Sequence, residues 1–191
     1  IAVEYKKLPF VLDPVEAAAP GAPLIHEKNG EYRRVEYSVH PIPGSNVFHH
    51  YKLRKGNEQD GFAKADVTVE DEFEFPLSSQ APLEPHGAIC RFGTDGDLEI
   101  WASNQAPFVL RDVLADMFGI PATKVRVHIP YLGGGFGGKS DVSIEPMVAY
   151  AASFVPGYAV KLVLTRGEVI SGALIGRGMK GRMRIGAKLD G

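Results

Sequence analysis

The sequence predicts an α+β fold: a mixed sheet with helices packed on one face, left incomplete at its C-terminal edge. Strand-like and helical segments follow one another without strict alternation, which favours this class over a doubly wound fold. Two stretches, Pro107–Phe118 and residues 147–154, have the apolar spacing of helices that cover a sheet. Residues 179–189 form a last predicted strand, and Asp190 and Gly191 after it are a hairpin signal without a returning strand. We therefore expect the natural protein to continue and this chain to be a fragment of it.

The first 45 residues are predicted to be extended, because prolines divide them into short pieces. One helical turn is expected near residues 14–18, with Asp13 as its cap and Pro14 at its first position. From residue 46 the pattern becomes regular, so residues 46–191 are predicted to form the domain proper. The strands expected in it lie at residues 46–54, 66–75, 82–92, 98–102, 124–129, 160–164 and 179–189.

Four helices are expected between these strands. Pro107 opens the longest of them and Gly119 ends it, while a proline and a glycine at positions 156 and 157 end the apolar helix at 147–154. Short helices are expected at residues 60–65 and 166–172. Along the sequence, one of the two longer helices therefore precedes the strand at 124–129 and the other follows it.

Composition limits the classes of function. A formal net charge of −2 with dispersed Lys and Arg gives no sign of a nucleic-acid or acidic-membrane partner. No apolar run reaches the roughly 18 residues of a membrane helix, and no signal peptide opens the chain. The single cysteine, Cys90, lies in an apolar strand-like run and is predicted to be a core residue, so a reducing, cytoplasmic setting is expected. Adjacent His49 and His50 would point to opposite faces of a strand, and no metal site is predicted.

The most informative segment is the glycine-rich loop Gly133–Lys139, read Gly-Gly-Gly-Phe-Gly-Gly-Lys. Five glycines within six positions cost backbone entropy on folding. Such a run indicates a backbone that comes very close to a ligand or another segment, or that adopts positive φ. Consecutive exposed amides also make good anion sites.

Two nucleotide motifs match this loop by spelling. Gly133, Gly138, Lys139 and Ser140 fit the phosphate-loop pattern G-x-x-x-x-G-K-S, and the glycines also fit the dinucleotide pattern G-x-G-x-x-G. Both motifs need a helix that begins at the end of the loop. Pro146 would lie about two turns inside that helix and cost about 3 kcal/mol there. A phosphate-loop nucleotide-binding domain therefore stands as an alternative with a poor structural context.

A third interpretation rests on resemblance to a family. The loop after its basic and apolar strand resembles the signature of the molybdopterin-binding large subunit of the aldehyde oxidase/xanthine dehydrogenase family. Residues 101–107, Trp-Ala-Ser-Asn-Gln-Ala-Pro, resemble the family's Ser-Thr-Gln-x-Pro segment, and residues 119–127 are similar to its Gly-Ile/Val-Pro link. Residues 83–86, Leu-Glu-Pro-His, resemble its Met/Leu-Glu-Pro segment. The resemblance extends in the family's order over nearly the whole chain.

The resemblance implies an oxidoreductase that acts only as part of a larger complex. Family members hydroxylate an activated carbon, such as that of an aldehyde or N-heterocycle, with water as the oxygen source, on molybdenum held by molybdopterin, in some cases a dinucleotide form. Residues 1–45 would be a linker from a preceding small domain, and 46–191 the N-terminal part of the molybdopterin-binding domain. The implied partners are the C-terminal part of that domain, and iron–sulfur and flavin subunits or domains with [2Fe–2S] clusters and FAD. The fragment alone is expected to hold no cofactor and to be inactive.

By motif, the resemblance assigns Gly134, Gly135, Phe136 and Gly137 to cofactor binding. It assigns Phe136 also to the substrate pocket, together with Ser140. The loop is expected to lie exposed in this chain, with the Phe136 ring lacking most of its packing. No catalytic residue and no metal ligand is expected here, because the family's catalytic glutamate lies farther along its sequence.

Two positions depart from the family pattern. Oxypurine-oxidising members carry a glutamate just after the motif lysine, where this chain has Ser140 and then Asp141. The family's glutamine near a molybdenum ligand aligns with Ser78, and Gln80 is close but offset. These departures keep a non-catalytic scaffold domain of the same fold as a further alternative. Two other acids are not taken as the catalytic base: Glu84 is expected to accept from neighbouring backbone amides, and Glu145 to cap a helix start.

Overall fold

The structure is a computed structural model that describes residues 2–32 and 39–190. The chain forms two compact units, one from residues 1–76 with 178–191 and the other from residues 77–177. These bounds differ from the division predicted at residues 45 and 46, which remains a prediction about the organisation of the parent protein. Within the described residues, no helix is long and apolar enough to cross a membrane.

The first unit contains α1 (Pro14–Ala18), α2 (Glu58–Ala63), β1 (Val67–Phe75) and β6 (Met179–Ala187). Asp13 caps α1 as predicted, because its Oδ1 accepts from the first two free amides of the helix at 2.8 and 3.1 Å. β1 and β6 pair antiparallel over nine residues each. The last predicted strand therefore pairs in a separate two-stranded sheet instead of lying in the main sheet.

Opposite charges accompany this pairing. One side of the ribbon is acidic on β1 and basic on β6, with the cross-strand partners Glu70 and Arg184, Glu72 and Arg182, and Glu74 and Lys180.

The strand predicted at residues 46–54 is wrong, since no strand forms there. The Asn46 side chain instead donates to the carbonyls of Ala17 and Pro23 and accepts from the amide of Ile25. These bonds tie Asn46 to a segment 21 to 29 residues earlier in the chain instead of to a neighbouring strand.

The second unit is built on a four-stranded sheet in the order β4-β3-β2-β5. Its strands are β2 (Gly87–Phe92), β3 (Leu98–Ala102), β4 (Val125–His128) and β5 (Ala159–Val163). β4 runs parallel to β3, whereas the other neighbours are antiparallel, so the sheet is mixed. The α+β prediction is confirmed.

Two helices, α3 (Pro107–Phe118) and α4 (Glu145–Ser153), pack on one face of this sheet, as predicted. Alternate residues of β2 and β3 point toward them and are buried, while the intervening residues are more exposed. The fully buried apolar side chains of this core include Cys90, Ile100, Leu110 and Leu114. Burial raises the pKa of the Cys90 thiol to about 12, so it stays protonated and acts as a small core residue.

Helix boundaries place the glycine-rich loop. α3 ends at Gly119, whose φ of 62° lets its amide bond back to the last turn. β4 then leads into the loop, and α4 begins at Glu145, six residues beyond Lys139. A last short helix, α5 (Arg166–Gly172), follows β5 and starts with a capping box between Thr165 and Glu168.

Candidate functional site

Glu84 holds both ends of the glycine-rich loop. Its Oε2 accepts from the amide of Gly133 at 2.9 Å and from Nζ of Lys139 at 2.9 Å. Lys139 Nζ also donates to the Glu84 carbonyl at 2.9 Å, and the Glu84 amide donates to the Gly133 carbonyl at 3.1 Å. Glu84 therefore accepts from a backbone amide, as predicted. Its pairing with Lys139 is a contact that the sequence did not suggest.

Gln105 supports the second half of the loop. Its Oε1 accepts from the amides of Gly137 at 3.1 Å and Lys139 at 3.2 Å, and its own amide donates to the Lys139 carbonyl at 2.7 Å. Nε2 of the buried His86 bonds the Gly138 carbonyl at 3.1 Å. A carbonyl oxygen only accepts, so this nitrogen carries the proton. Side chains from two distant segments thus fix the loop's shape.

The glycines are required for close approach. A Cβ on Gly133 would lie 2.6 Å from the Glu84 Cβ, and one on Gly135 would lie 2.3 Å from Oε1 of Gln105. Gly134 and Gly137 have φ of 93° and 82°, a region that favours glycine. The expectation that this run brings the backbone close to another segment or into positive φ is confirmed on both counts.

Three consecutive amides of the loop have no internal partner. Among residues 2–32 and 39–190, the amides of Gly134, Gly135 and Phe136 donate no hydrogen bond. Successive free amides form a partly positive surface that suits an oxyanion. The Gly137 amide is already bound to Gln105, so this residue can adjoin a ligand through its small size but not through a free N–H.

Phe136 stands on this loop in a strained and exposed position. Its φ is 52°, and a residue with a side chain pays about 1–2 kcal/mol in this left-handed region. Phe136 is 73% exposed, as expected, so its own packing does not explain the strain. The rest of the loop is less exposed than predicted, since Gly135, Gly138 and Lys139 are buried. Strain of this kind, held by the surrounding structure, is typical of functional sites. Ser140 follows, also exposed, with its amide bound to the Gly137 carbonyl.

The charges of the site lie behind the loop. The Lys139 side chain has no exposed surface, whereas that of Glu84 is 36% exposed. Burial raises the pKa of the Glu84 carboxyl, but the hydrogen bonds from Lys139, Ser103 and Gly133 outweigh it and hold that pKa below its usual value of 4.5. Glu84 is therefore ionised at neutral pH. Its Oε2 already accepts three hydrogen bonds, which is typical of a carboxylate with a structural role.

Acid is expected to destabilise the second unit through Glu84. Its folded pKa is depressed, so its contribution is present above the unfolded value near 4.5 and is lost as pH falls through the folded pKa. Urea unfolding of this chain between about pH 7 and about pH 3 measures the effect. Glu84→Gln should be less stable at neutral pH and should lose less stability on acidification. An unchanged dependence on pH would contradict this assignment.

Two polar residues that hold the loop and its neighbouring segment in place were not predicted from the sequence. Asn104, nearly fully buried, donates to the Asp141 carbonyl at 3.1 Å and to Oε1 of Glu145 at 3.0 Å. Gln105 follows it and binds the loop itself. Both belong to the segment at 101–107 that carried the family resemblance, which was the available signal. Glu145 is the buried first residue of α4 and accepts from Asn104 and from the Ser143 amide. The cap position is Ile144, so the expectation that Glu145 caps this helix is wrong.

The two departures from the family pattern are also located. Ser78 forms a backbone bridge with Gly176, so its place is structural in this unit. The Gln80 amide lies beneath Gly138, where a Cβ would be 3.0 Å from it. Oriented to suit its neighbours, this amide donates to the Leu174 carbonyl at 2.9 Å and accepts from the Gly176 amide at 3.2 Å.

His86 and His128 make separate structural contacts in the second unit. His128 bonds Glu99 at 2.9 Å and stacks on Trp101, while His86 supports the loop. Throughout the part of the chain that the structure describes, no three His, Cys, Asp or Glu side chains are arranged to hold a metal ion. The Nζ of Lys139 points inward to Glu84, and α4 starts well after the loop, so the geometry of a phosphate loop is not present.

Comparisons with known proteins agree with this geometry. A family profile described as the molybdopterin cofactor-binding domain matches residues 39–191. The chain is 34% identical to the carbon monoxide dehydrogenase large chain of Hydrogenophaga pseudoflava, over all of this chain and 24% of that protein. It is 30% identical to the xanthine dehydrogenase molybdenum-binding subunit of Escherichia coli O157:H7, over 88% of this chain and 20% of that protein.

A solved structure extends the match to three dimensions. Reconstituted CO dehydrogenase from Oligotropha carboxidovorans is similar with a TM-score of 0.75 at 29% identity, over all of this chain and 24% of that chain. This chain thus spans only 20% to 24% of the length of these relatives. Because the family profile covers most of the chain, the chain belongs to the molybdopterin cofactor-binding domain family of the aldehyde oxidase/xanthine dehydrogenase type, as its motifs predicted.

Proposed function

We propose that this chain is part of the catalytic subunit of a molybdenum hydroxylase and that its glycine-rich loop forms one wall of the molybdopterin site. The observation that carries the proposal is the run of three free amides at Gly134, Gly135 and Phe136. The loop that carries them is held in place by Glu84 and Gln105, and its three amides have no protein partner among the described residues, although Gly135 itself is buried. The family membership supplies the identity of that ligand.

The residues of the loop fit a pterin-bound metal group with oxygen ligands. The amides of Gly134, Gly135 and Phe136 would donate to its oxygens, and the absence of side chains at the glycines allows the backbone to approach. The Phe136 ring would exclude water along one side of the substrate pocket, with Ser140 at its margin. When bound, the cofactor supplies the transfer of water-derived oxygen to an activated carbon and accepts the electrons.

In this proposal the chain positions the cofactor and does not supply the general base. Glu84 and Glu145 are engaged by donors, so the base comes from another part of the parent protein. The proposed partners are the rest of the molybdenum domain and the iron–sulfur and flavin subunits or domains that carry [2Fe–2S] clusters and FAD. The assembly is proposed to work in the cytoplasm.

Metal analysis and nucleotide titration of the parent protein test the proposal against its alternatives. We expect molybdenum and pterin to copurify with the parent, and calorimetry to show ATP–Mg²⁺ bound no better than a generic anion. The reason is that the Lys139 ammonium is buried and bound to Glu84. Micromolar ATP affinity that Lys139→Ala abolishes would restore the phosphate-loop alternative. A parent with neither ligand would favour a non-catalytic scaffold domain.

Substrate preference follows from Ser140 and Asp141. Ser140 carries no charge, and the exposed Asp141 carboxylate lies one position later, so no acid stands directly after the motif lysine. We expect the parent to prefer aldehydes or N-heterocycles other than xanthine, measured as kcat/KM over a substrate panel. Ser140→Glu should shift the ratio toward oxypurines. Xanthine as the best substrate of the wild-type parent would refute this.

A further inference from the structure

Lys139 is an internal cation. Its side chain has no exposed surface, and its Nζ donates twice to the same residue, to the carbonyl and to Oε2 of Glu84, both at 2.9 Å. Lysine is almost never fully buried unless it is paired. The lysine that ends the loop therefore binds the protein's own carboxylate.

One carboxylate oxygen joins three segments at this point. Oε2 of Glu84 accepts from Lys139 Nζ, from the Gly133 amide at 2.9 Å and from the Ser103 hydroxyl at 2.7 Å. Gly133 and Lys139 are the first and last residues of the loop, and Ser103 directly follows β3. The absence of a side chain at Gly133 lets Glu84 come this close. Both ends of the loop are thus fastened to one point beside the sheet.

We infer that Glu84 and Lys139 are a coupled pair of positioning residues, whose ion pair closes the base of the loop and holds the amides of Gly134, Gly135 and Phe136 in the arrangement that leaves them without a protein partner in the described part of the chain. The inference rests on the proposed function for the identity of the ligand, but not for the closure itself. Glu84→Gln leaves the buried Lys139 ammonium without its counter-ion, and Lys139→Met removes the cation that binds the Glu84 carboxylate, which is 36% exposed. The loop then opens at its base, although the sheet and helices beneath it remain folded.

Hydrogen exchange of the parent protein, prepared in a host that cannot make the pterin, tests the closure. In Lys139→Met and in Glu84→Gln, peptides covering residues 132–140 should exchange roughly tenfold faster than in wild type, while those of β2 and β3 stay unchanged. The double variant should be no faster than either single one, because the pair acts as a unit. Lys124→Met is the matched control, since it breaks an exposed pair with Asp97 and a hydrogen bond to the Asp95 carbonyl, both at 3.2 Å and both away from the loop.

The possible outcomes distinguish closure of the loop from binding of the cofactor. Unchanged exchange of the loop in both single variants, additive effects in the double variant, or equal acceleration in β2 and β3 would overturn the inference. In parent protein made with the cofactor present, both variants should retain less than half the molybdenum and pterin of wild type. Faster loop exchange in a parent that never holds molybdenum would support the closure and refute the proposed function instead.

Discussion

Replacing Gly135 with alanine is expected to destabilise this chain by about 1–3 kcal/mol and to strip the parent protein of its cofactor. The new Cβ would lie 2.3 Å from Oε1 of Gln105 and 2.5 Å from its Cδ. Gln105 cannot move aside freely, because its Oε1 holds the amides of Gly137 and Lys139. The clash would therefore displace either the loop or its support, and both changes misplace the free amides.

Urea unfolding of the chain and metal analysis of the parent measure these two effects. Gly172→Ala is the matched control, since its Cβ would meet nothing within 4 Å and its backbone has no positive φ. That control should stay within about 0.5 kcal/mol of wild type and keep its molybdenum. A Gly135→Ala protein with wild-type stability and a full complement of molybdenum would show that the close approach to Gln105 is unimportant.

Leu114→Ala is expected to cost about 2–5 kcal/mol, the largest effect of any single change considered for this chain. Leu114 has no exposed surface and lies on the face of α3 that packs against the sheet core. Truncation leaves a cavity between the helix and the strands. Because α3 packs on β4, which leads directly into the loop, the support of the loop weakens as well.

Equilibrium unfolding in urea checks this value, with Met117→Ala as control on the same helix. Met117 is 45% exposed, so its truncation should change stability by less than about 1 kcal/mol. Equal losses for the two variants would mean that α3 does not pack as described. A loss confined to Leu114→Ala, with faster exchange of the loop amides, would connect the core to the site.

Local signals account for the elements that were predicted well. α3 begins at Pro107 and ends before Gly119, as predicted, because proline is favoured at the first helical position and glycine adopts the left-handed cap. The strand predicted at 46–54 failed because Asn46 binds backbone groups of an earlier segment. The pairing of β1 with β6 joins residues more than 100 positions apart, and no local pattern specifies such a partner.

The sequence predicted where the backbone comes close to another segment, but not which residues hold the loop in place. The glycine run marked where the backbone must come close. The motif singled out Gly134, Gly135, Phe136 and Gly137, of which the first three have free amides, and their role in cofactor binding stays a prediction. The inward direction of Lys139 was not predictable, because the same spelling serves a phosphate loop, where lysine faces the ligand. The role of Gln105 depends on a contact with the loop across some 30 residues of chain. Only the fold brings the two together.

The central claim is that the free amides of the loop face the molybdenum cofactor. A crystal or cryo-electron microscopy structure of the cofactor-loaded parent tests it most directly, through the distance from each amide nitrogen of Gly134, Gly135 and Phe136 to the nearest cofactor oxygen. We predict a distance of about 2.7–3.2 Å for at least one of them, with the Phe136 ring facing the substrate pocket. A cofactor bound elsewhere, with these amides in solvent or bonded to another protein segment, would contradict the account.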